Sequence, residues 1–139
     1  MHDVSKEDDY RHGFLILFLF FIITRIIIHL IGVRFDMTPL YWFYQFLDPQ
    51  GLTTDLAKSL LYLHIQPPGF NLFLGSVLKF SSGFELPTFK IIYMAMGLGT
   101  ALTLYSILVR LKIPVILALF SCMFFVISPP VIFFENWLF

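Results

Sequence analysis

Charge and reactive side chains are scarce in this sequence. Only 13% of its 139 residues are charged, the formal net charge is zero, and a single cysteine, Cys122, lies inside an apolar run. A lone cysteine in such a run indicates a small buried side chain rather than a disulfide or a catalytic thiol. No Cys/His cluster has the spacing of metal ligands, and no glycine-rich phosphate loop occurs. The neutral charge balance gives no reason to expect a nucleic-acid partner.

Apolar residues dominate the composition. They make up 58% of the chain, with 18 phenylalanines, whereas soluble domains are roughly half apolar and a quarter charged. The span-length segments are residues 13–33, about 87–109 and about 113–131. The first would form roughly 31 Å of helix, one hydrocarbon thickness. The sequence therefore predicts an all-α integral membrane protein with about three transmembrane helices.

The first 12 residues are a polar, mostly acidic segment, which predicts a cytosolic tail. The apolar run 13–33 is longer than the core of a signal peptide, and RFD follows it rather than a small-residue cleavage site. We therefore expect a permanent first helix.

The stretch 34–86 is too polar to span a membrane and too apolar for an ordinary loop. It contains MTPLYWFYQFLDPQG, with a Thr-Pro start and a Pro-Gln-Gly stop, and TTDLAKSLLYLH, with capping residues before a leucine-rich face. Their aromatic density predicts juxtamembrane helices in an external loop, with the rings at headgroup level. A soluble loop with incidental apolar residues is the alternative.

Segment 68–80 decides how often the chain crosses the membrane. It has only 13 residues, which favours a re-entrant or interfacial helix over a span. With three crossings Asp36 and Glu135 lie on the same side, and with four they lie on opposite sides. The basic loop at Arg110 and Lys112 favours three, because a cytosolic N-terminus then places this loop in the cytosol.

Arg25 and His29 lie four residues apart in the first span, on one helix face. Charged groups in a span usually face a bundle interior or a water-filled cavity. In the functional interpretation this stripe holds an anionic headgroup or a neighbouring acid. In the structural one, which the sequence favours, Arg25 pairs with helices outside this sequence and His29 is neutral and hydrogen-bonded.

The carboxylates Asp36 and Glu135 follow the first and third predicted spans. Glu135 should reach the interface, because the prolines of SPPVIFF break the third span before it. A lone interfacial glutamate is ordinarily solvated, but two acids on one side form a candidate carboxylate-lined site. Three other acids flank turns or helix starts, which indicates helix caps or solvated side chains. They are Asp48, Asp55 and Glu85.

The segment HIQPPGFNLFLGSVLKF places paired prolines after two polar side chains, His64 and Gln66. Pro67 and Pro68 should end one helix and start the next, and hold these side chains in a set orientation. The alternative is a rigid corner without a binding role.

The order of these features resembles the N-terminal module of the GT-C glycosyltransferases. The likeness covers nearly all of residues 13–139: a span, RFD, aromatic juxtamembrane helices, the Pro-Pro segment, two more spans, then SPPVIFFENW. Within that class it is most similar to the bacterial aminoarabinose transferases and protein O-mannosyltransferases. The resemblance implies a larger helical bundle, of which this chain would be an incomplete part, inactive alone, in the bacterial inner membrane.

The resemblance also implies an activity and its residues. The family transfers a sugar from a polyprenyl-phosphate carrier, with inversion, on the external face of the membrane. Its catalytic acid falls on Asp36 and its second acid on Glu135, while its proline motif falls on Gln66, Pro67 and Pro68. This sequence departs from many relatives in having Met37 after the first acid and glutamate as the second.

A carboxylate at the interface can take the acceptor's proton, and cations can stabilise the leaving lipid phosphate. The candidate donor-binding residues are Arg34, Lys58, His64 and Gln66. The aromatic residues Tyr41, Trp42 and Tyr44 suit either a lipid or sugar surface or simple interface anchoring. A divalent metal is allowed but not required, since two candidate carboxylates lack a third.

The expected partners are the lipid-linked donor, membrane lipid and the remaining transmembrane helices of a longer protein. The rival interpretation is a fragment of a multi-span transporter, or a non-enzymatic membrane scaffold, with Arg25 and His29 marking a substrate or proton path.

Overall fold

The computed structural model describes residues 4–42, 47–61 and 68–138, with side chains from residue 10 onward in the first helix. Within these ranges there is no strand, only an isolated parallel bridge between Asp36 and Trp137. The all-α class is therefore confirmed. The helices are α1 Val4–Leu30, α2 Pro39–Trp42, α3 Pro49–Thr54, α4 Leu56–Leu61, α5 Pro68–Phe80, α6 Glu85–Arg110, α7 Val115–Ile127 and α8 Pro129–Glu135.

In the part of the chain that the structure describes, two helical stretches are long and apolar enough to cross a membrane, Tyr10–Leu30 in α1 and the whole of α6. The pair α7 and α8 makes a third if it is one bent span. These lengths support a membrane protein. The first helix extends beyond the N-terminal end of the apolar run 13–33, since α1 begins at Val4. Residues 4–12 contain no proline or glycine to interrupt a helix.

The third predicted span, 113–131, is not one straight helix. α7 ends at Ile127, α8 begins at Pro129, and their axes differ by 56°. A residue before proline avoids the helical region, and Ser128 accordingly adopts φ −65° and ψ 138°. The two prolines occupy the first turn of α8, where their missing N–H groups would have no helical partner in any case.

α1 ends where Gly32 adopts a left-handed conformation, with φ 102°. The N–H of the next residue, Val33, returns to the carbonyl of Ile28 at 3.2 Å. This pattern satisfies a carbonyl of the last turn and turns the chain away from the helix axis. The first helix therefore ends at Leu30, one turn before Arg34.

The chain divides into two units, Met1–Arg34 with Tyr93–Asn136 and Phe35–Ile92 with Trp137–Phe139. In the first unit, α1, α6 and α7 pack through side chains spaced three or four residues apart, which lie on one face of each helix. Two side chains of this core are small, Ala101 of α6 and Ala118 of α7. Cys122 is buried and free, as predicted. The core comprises Leu17, Phe21, Ala101, Tyr105, Ala118, Cys122 and Val126.

In the second unit, α5 packs one side against α3 and α4. Gly75 provides the closest approach, since a Cβ there would lie 2.3 Å from Leu56 Cδ1. Asn71 is 1% exposed, and its Oδ1 accepts from the Leu47 N–H at 2.8 Å. Phe73 meets Phe89 of α6 edge-on, with ring centroids 5.9 Å apart. The unit is thus a cluster of short helices around the start of α6.

The described parts of the predicted juxtamembrane helices include helix: α2 lies in the first predicted segment and α4 in the second. The Pro-Gln-Gly sequence read as a stop instead opens α3 at Pro49, because the side chain of Asp48 accepts from the Gln50 N–H and caps the new helix. The capping role predicted for Asp48 is confirmed. Pro68 starts α5, as the paired prolines predicted.

The glycine at residue 13 should stabilise the first unit by leaving room for the Tyr105 ring. A Cβ there would lie 2.0 Å from the hydroxyl oxygen and 2.8 Å from Cζ of Tyr105, a fully buried ring. Gly13→Ala should lower the free energy of unfolding by about 1–3 kcal/mol, as overpacking does. Thermal unfolding in detergent measures this. Gly99→Ala is the matched control, because a Cβ there meets nothing within 4 Å; an equal loss in both variants would contradict the prediction.

Candidate functional site

A buried ion pair joins α1 to the end of α8. Arg25 Nε donates to Glu135 Oε2 at 2.5 Å, and Nη2 donates to Oε1 at 2.7 Å. The two side chains are 4% and 5% exposed. A guanidinium fork on a carboxylate is a strong, directional geometry. Removing either partner would leave an uncompensated charge inside a unit that carries candidate membrane spans.

Arg25 also completes the backbone hydrogen bonding at the proline break. Its Nη1 donates to the carbonyl oxygen of Val126 at 3.0 Å. In a continuous helix that carbonyl would accept from the residue four positions on, but this is Pro130, which has no N–H. The adjacent carbonyl of Phe125 instead accepts from the backbone N–H and hydroxyl of Ser128, at 3.1 and 2.7 Å.

The residues around the Arg25–Glu135 pair leave space for it. A Cβ at Gly97 of α6 would lie 2.0 Å from Glu135 Oε1, so only glycine leaves room for the carboxylate. The Arg25 guanidinium carbon lies 4.2 Å from the ring centroid of Phe21, a favourable cation–π distance. Arg25 therefore ties together α1, α7 and α8, with Glu135 packed on α6.

The favoured interpretation of Arg25 was wrong: the arginine finds its partner inside this chain, not in helices outside the sequence, and the alternative, that it holds a neighbouring acid, is confirmed. Glu135 is buried and ion-paired, not solvated. The helical spacing of the α1 core side chains pointed to this outcome. Tyr10, Phe14, Leu17, Phe21 and Arg25 follow one another at steps of three or four residues, which places Arg25 toward the bundle interior.

Asp36 is an exposed carboxylate held by a local turn. The backbone N–H and the hydroxyl of Thr38 both donate to its Oδ1, at 2.8 and 2.5 Å. Such an Asx-type turn commonly opens a short helix, here α2. The hydroxyl bond and then the N–H bond from Thr38 hold the pKa of Asp36 below its usual range. The carboxylate is therefore ionised at neutral pH, fixed in position and accessible.

The backbone of Asp36 is held as well. Its carbonyl oxygen accepts from the Leu138 N–H at 3.1 Å, next to the parallel bridge with Trp137. Phe35 and Leu138, on either side of this contact, are 5% and 0% exposed. Asp36 belongs to the second unit and Glu135 to the first, so a site shared by the two acids stays a prediction.

The predicted donor-binding residues fall into two groups. Arg34 is exposed, and its Nη1 donates to the His29 carbonyl at 2.6 Å and lies 2.9 Å from His29 Nδ1, an arrangement that caps α1. Lys58 is an exposed residue of α4. His64 and Gln66 lie outside the described residues, as do Pro67 and Tyr44.

No group of three His, Cys, Asp or Glu residues gathers within the described ranges. These residues therefore do not by themselves fit a protein-held divalent ion, and the chemistry below uses none. Two grooves in the first unit are mostly apolar and contain none of the predicted site residues. One, of about 500 Å³, lies along α6 beside Gly99 and Thr103, and the other, of about 440 Å³, lies between His12 of α1 and Pro114 before α7.

No protein family, curated protein or solved structure matches this chain. The GT-C resemblance stated from the sequence therefore stays a prediction, and the site must be judged on its own geometry.

The Arg25–Glu135 pair should behave as one unit in a double-mutant cycle. Arg25→Leu or Glu135→Leu should each cost about 3–5 kcal/mol of folding free energy, because the partner stays buried and charged. The double variant should cost much less than the sum. Arg25→Leu should nonetheless ease membrane insertion of α1 by about 2.5–3.5 kcal/mol. Unfolding in detergent and an insertion assay measure the two effects, and Lys58→Leu, at an exposed lysine of α4, is the control for folding.

Additive losses in that cycle would show that the two side chains act independently. Unchanged folding in Arg25→Leu would show that the arginine has no interior partner.

Thr38 should set the pKa of Asp36. Thr38→Val removes the hydroxyl bond, the larger cause, and should raise the pKa of Asp36 toward its ordinary value. Because the native pKa is lowered, these bonds stabilise the fold above the ordinary aspartate pKa, and this contribution is lost as pH falls through the lowered one. A carbon-13 NMR titration of the Asp36 carboxyl measures the shift. Thr53→Val is the control, since its hydroxyl bonds only to backbone carbonyls; equal titrations of Asp36 in all three proteins would contradict the assignment.

Proposed function

We propose that this chain is the N-terminal part of a GT-C-type membrane glycosyltransferase. It would transfer a sugar from a polyprenyl-phosphate carrier to an acceptor hydroxyl on the external face of the membrane, by inverting transfer with Asp36 as base. The observation that carries the proposal is the Asp36 carboxylate itself, which is exposed, ionised and held by Thr38 a few residues beyond the first candidate span.

The chemistry asked of Asp36 is simple. The acceptor oxygen forms a bond to the anomeric carbon, its proton passes to the Asp36 carboxylate, and the carbon–oxygen bond to the carrier breaks to release polyprenyl phosphate. A lowered pKa keeps the carboxylate in its proton-accepting form. Its modest basicity suits a proton that is taken late, when the attacking oxygen has become acidic.

The leaving phosphate needs positive charge or hydrogen-bond donors near it. Arg34, two residues before Asp36, is exposed and is oriented through His29 at the end of α1. We assign it the leading phosphate-binding role, with Lys58, His64 and Gln66 as further candidates.

The role of Glu135 in this proposal differs from that of Asp36. Both of its oxygens accept from Arg25, so neither is poised to take a proton unless that pair opens. We assign Glu135 a positioning role in the first unit and leave proton transfer to Asp36.

The rival function, part of a transporter or a non-enzymatic scaffold, is favoured by a different observation. A buried acid–base pair within apolar helices is also what a proton or substrate path uses. The two functions depend on different residues. Sugar transfer depends on Asp36, whereas a proton or substrate path depends on Arg25 and Glu135.

Asp36→Asn in the full-length protein should distinguish between the two proposed functions. The amide keeps an acceptor oxygen for Thr38, so the fold should persist, while turnover should fall by about 10²–10⁴-fold, the usual contribution of a positioned base. Donor binding should change much less. Transfer assays and donor titrations on purified protein measure both.

Asp48→Asn is the matched control, because Asp48 is an exposed capping carboxylate of the same unit. Glu135→Gln should reduce the turnover per folded molecule less than Asp36→Asn does. Near-normal turnover in Asp36→Asn would remove this residue from the mechanism and most of the case for an enzyme.

A further inference from the structure

We propose that α5 lies along the membrane surface and that three side chains contact lipid: Leu72 and Phe80 of α5 and Phe84 of the turn that follows it. We call these three side chains the lipid-contact surface. The partner of this surface is the interfacial region of a phospholipid bilayer. The inference does not depend on whether the chain transfers a sugar.

The first argument is the two-sidedness of α5. One side is buried in the second unit, with Asn71, Leu74 and Leu78 between 0% and 7% exposed. The other side leaves Leu72 47% exposed and Phe80 87% exposed. The protein-facing side is therefore already covered, and large apolar groups remain on the side that the unit does not cover.

The second argument is the place of this surface along the chain. α6, a candidate membrane span, begins at Glu85. Phe84 immediately precedes it and is 72% exposed, so chain continuity puts this ring within one turn of the membrane boundary. Lys79 also suits a position at the interface, because a lysine there can lay its stem on lipid and keep its ammonium in water.

The third argument is the number of membrane crossings. The Leu138 N–H donates to the Asp36 carbonyl at 3.1 Å, so these two residues lie on one side of the membrane. The chain between them must then cross an even number of times. α6, with 26 residues, is long enough, and one further crossing is needed.

That further crossing belongs to α7 with α8 rather than to α5. α5 has 13 residues, about 20 Å of helix, well short of a hydrocarbon core of roughly 30 Å. α7 and the bent α8 together reach about 25 Å along the α7 axis. This assignment also places the turn at Arg110 and Lys112 on the cytosolic side, as the positive-inside rule prefers.

Cysteine accessibility tests the surface placement of α5. In this chain with Cys122→Ala, Gly69→Cys and Ser82→Cys place thiols at the two ends of α5, both at exposed positions. A membrane-impermeant maleimide should label both from the outside of intact cells, with labelling lost when the reagent is confined to the inside of sealed vesicles. Labelling of the two ends from opposite sides would overturn the proposal.

Tryptophan fluorescence tests the lipid contact. The chain has two tryptophans, so Trp42→Phe with Trp137→Phe gives a background for Phe80→Trp, with Phe84→Trp as a second reporter. In vesicles containing brominated phosphatidylcholine, either reporter should lose most of its emission, and iodide in the water should quench it weakly. Gln50→Trp, at an exposed polar position of the same unit, is the control for iodide access.

Strong iodide quenching without lipid quenching at residue 80 would place this surface in water. Protection from both quenchers would show that protein covers it. Either result would overturn the lipid-contact assignment.

Discussion

An arginine inside an apolar helix is the constraint on which the first unit depends. Arg25 cannot be left unpaired away from water, and its three donor nitrogens find acceptors on two other helices, in Glu135 and the carbonyl of Val126. That carbonyl is available because Pro130 cannot bond to it. The proline break, the arginine and the glutamate are therefore one arrangement: the break exposes an acceptor and redirects the chain, and the ion pair fixes the redirected helix.

The position of Asp36 has a different physical origin. The Asp36 side chain is exposed and is held by two hydrogen bonds from Thr38, while one hydrogen bond from Leu138 holds its backbone. Local bonds of this kind keep a carboxylate ionised and oriented while leaving it in contact with solvent. A group with these properties can bind a cation, accept a proton or simply shape a turn, and the turn is already explained without any chemistry.

Much of the fold could be predicted from apolar length and proline position. The α1 and α6 spans, the start of α5 at Pro68 and the cap at Asp48 all follow from local rules. The start of α3 at Pro49 was misread because proline after an acidic cap opens a helix as readily as it ends one. The Arg25–Glu135 pair was missed because its members are 110 residues apart, and a single sequence shows the face of each helix but not which faces meet. Thr38 was overlooked although Asp-x-Thr is a local turn signal.

The two units use their ionisable groups in opposite ways. In the first, Arg25 and Glu135 are buried and bonded to each other, and even a Cβ on Gly97 would lie 2.0 Å from Glu135 Oε1. Inserting a substrate there would first require breaking a buried ion pair, which costs several kcal/mol. In the second unit, Asp36 is exposed and already oriented, so a ligand would displace only water. Of the two acids, Asp36 could therefore take part in a reaction at the lower cost in free energy. The Arg25–Glu135 ion pair is better suited to holding helices in place than to turning over a substrate.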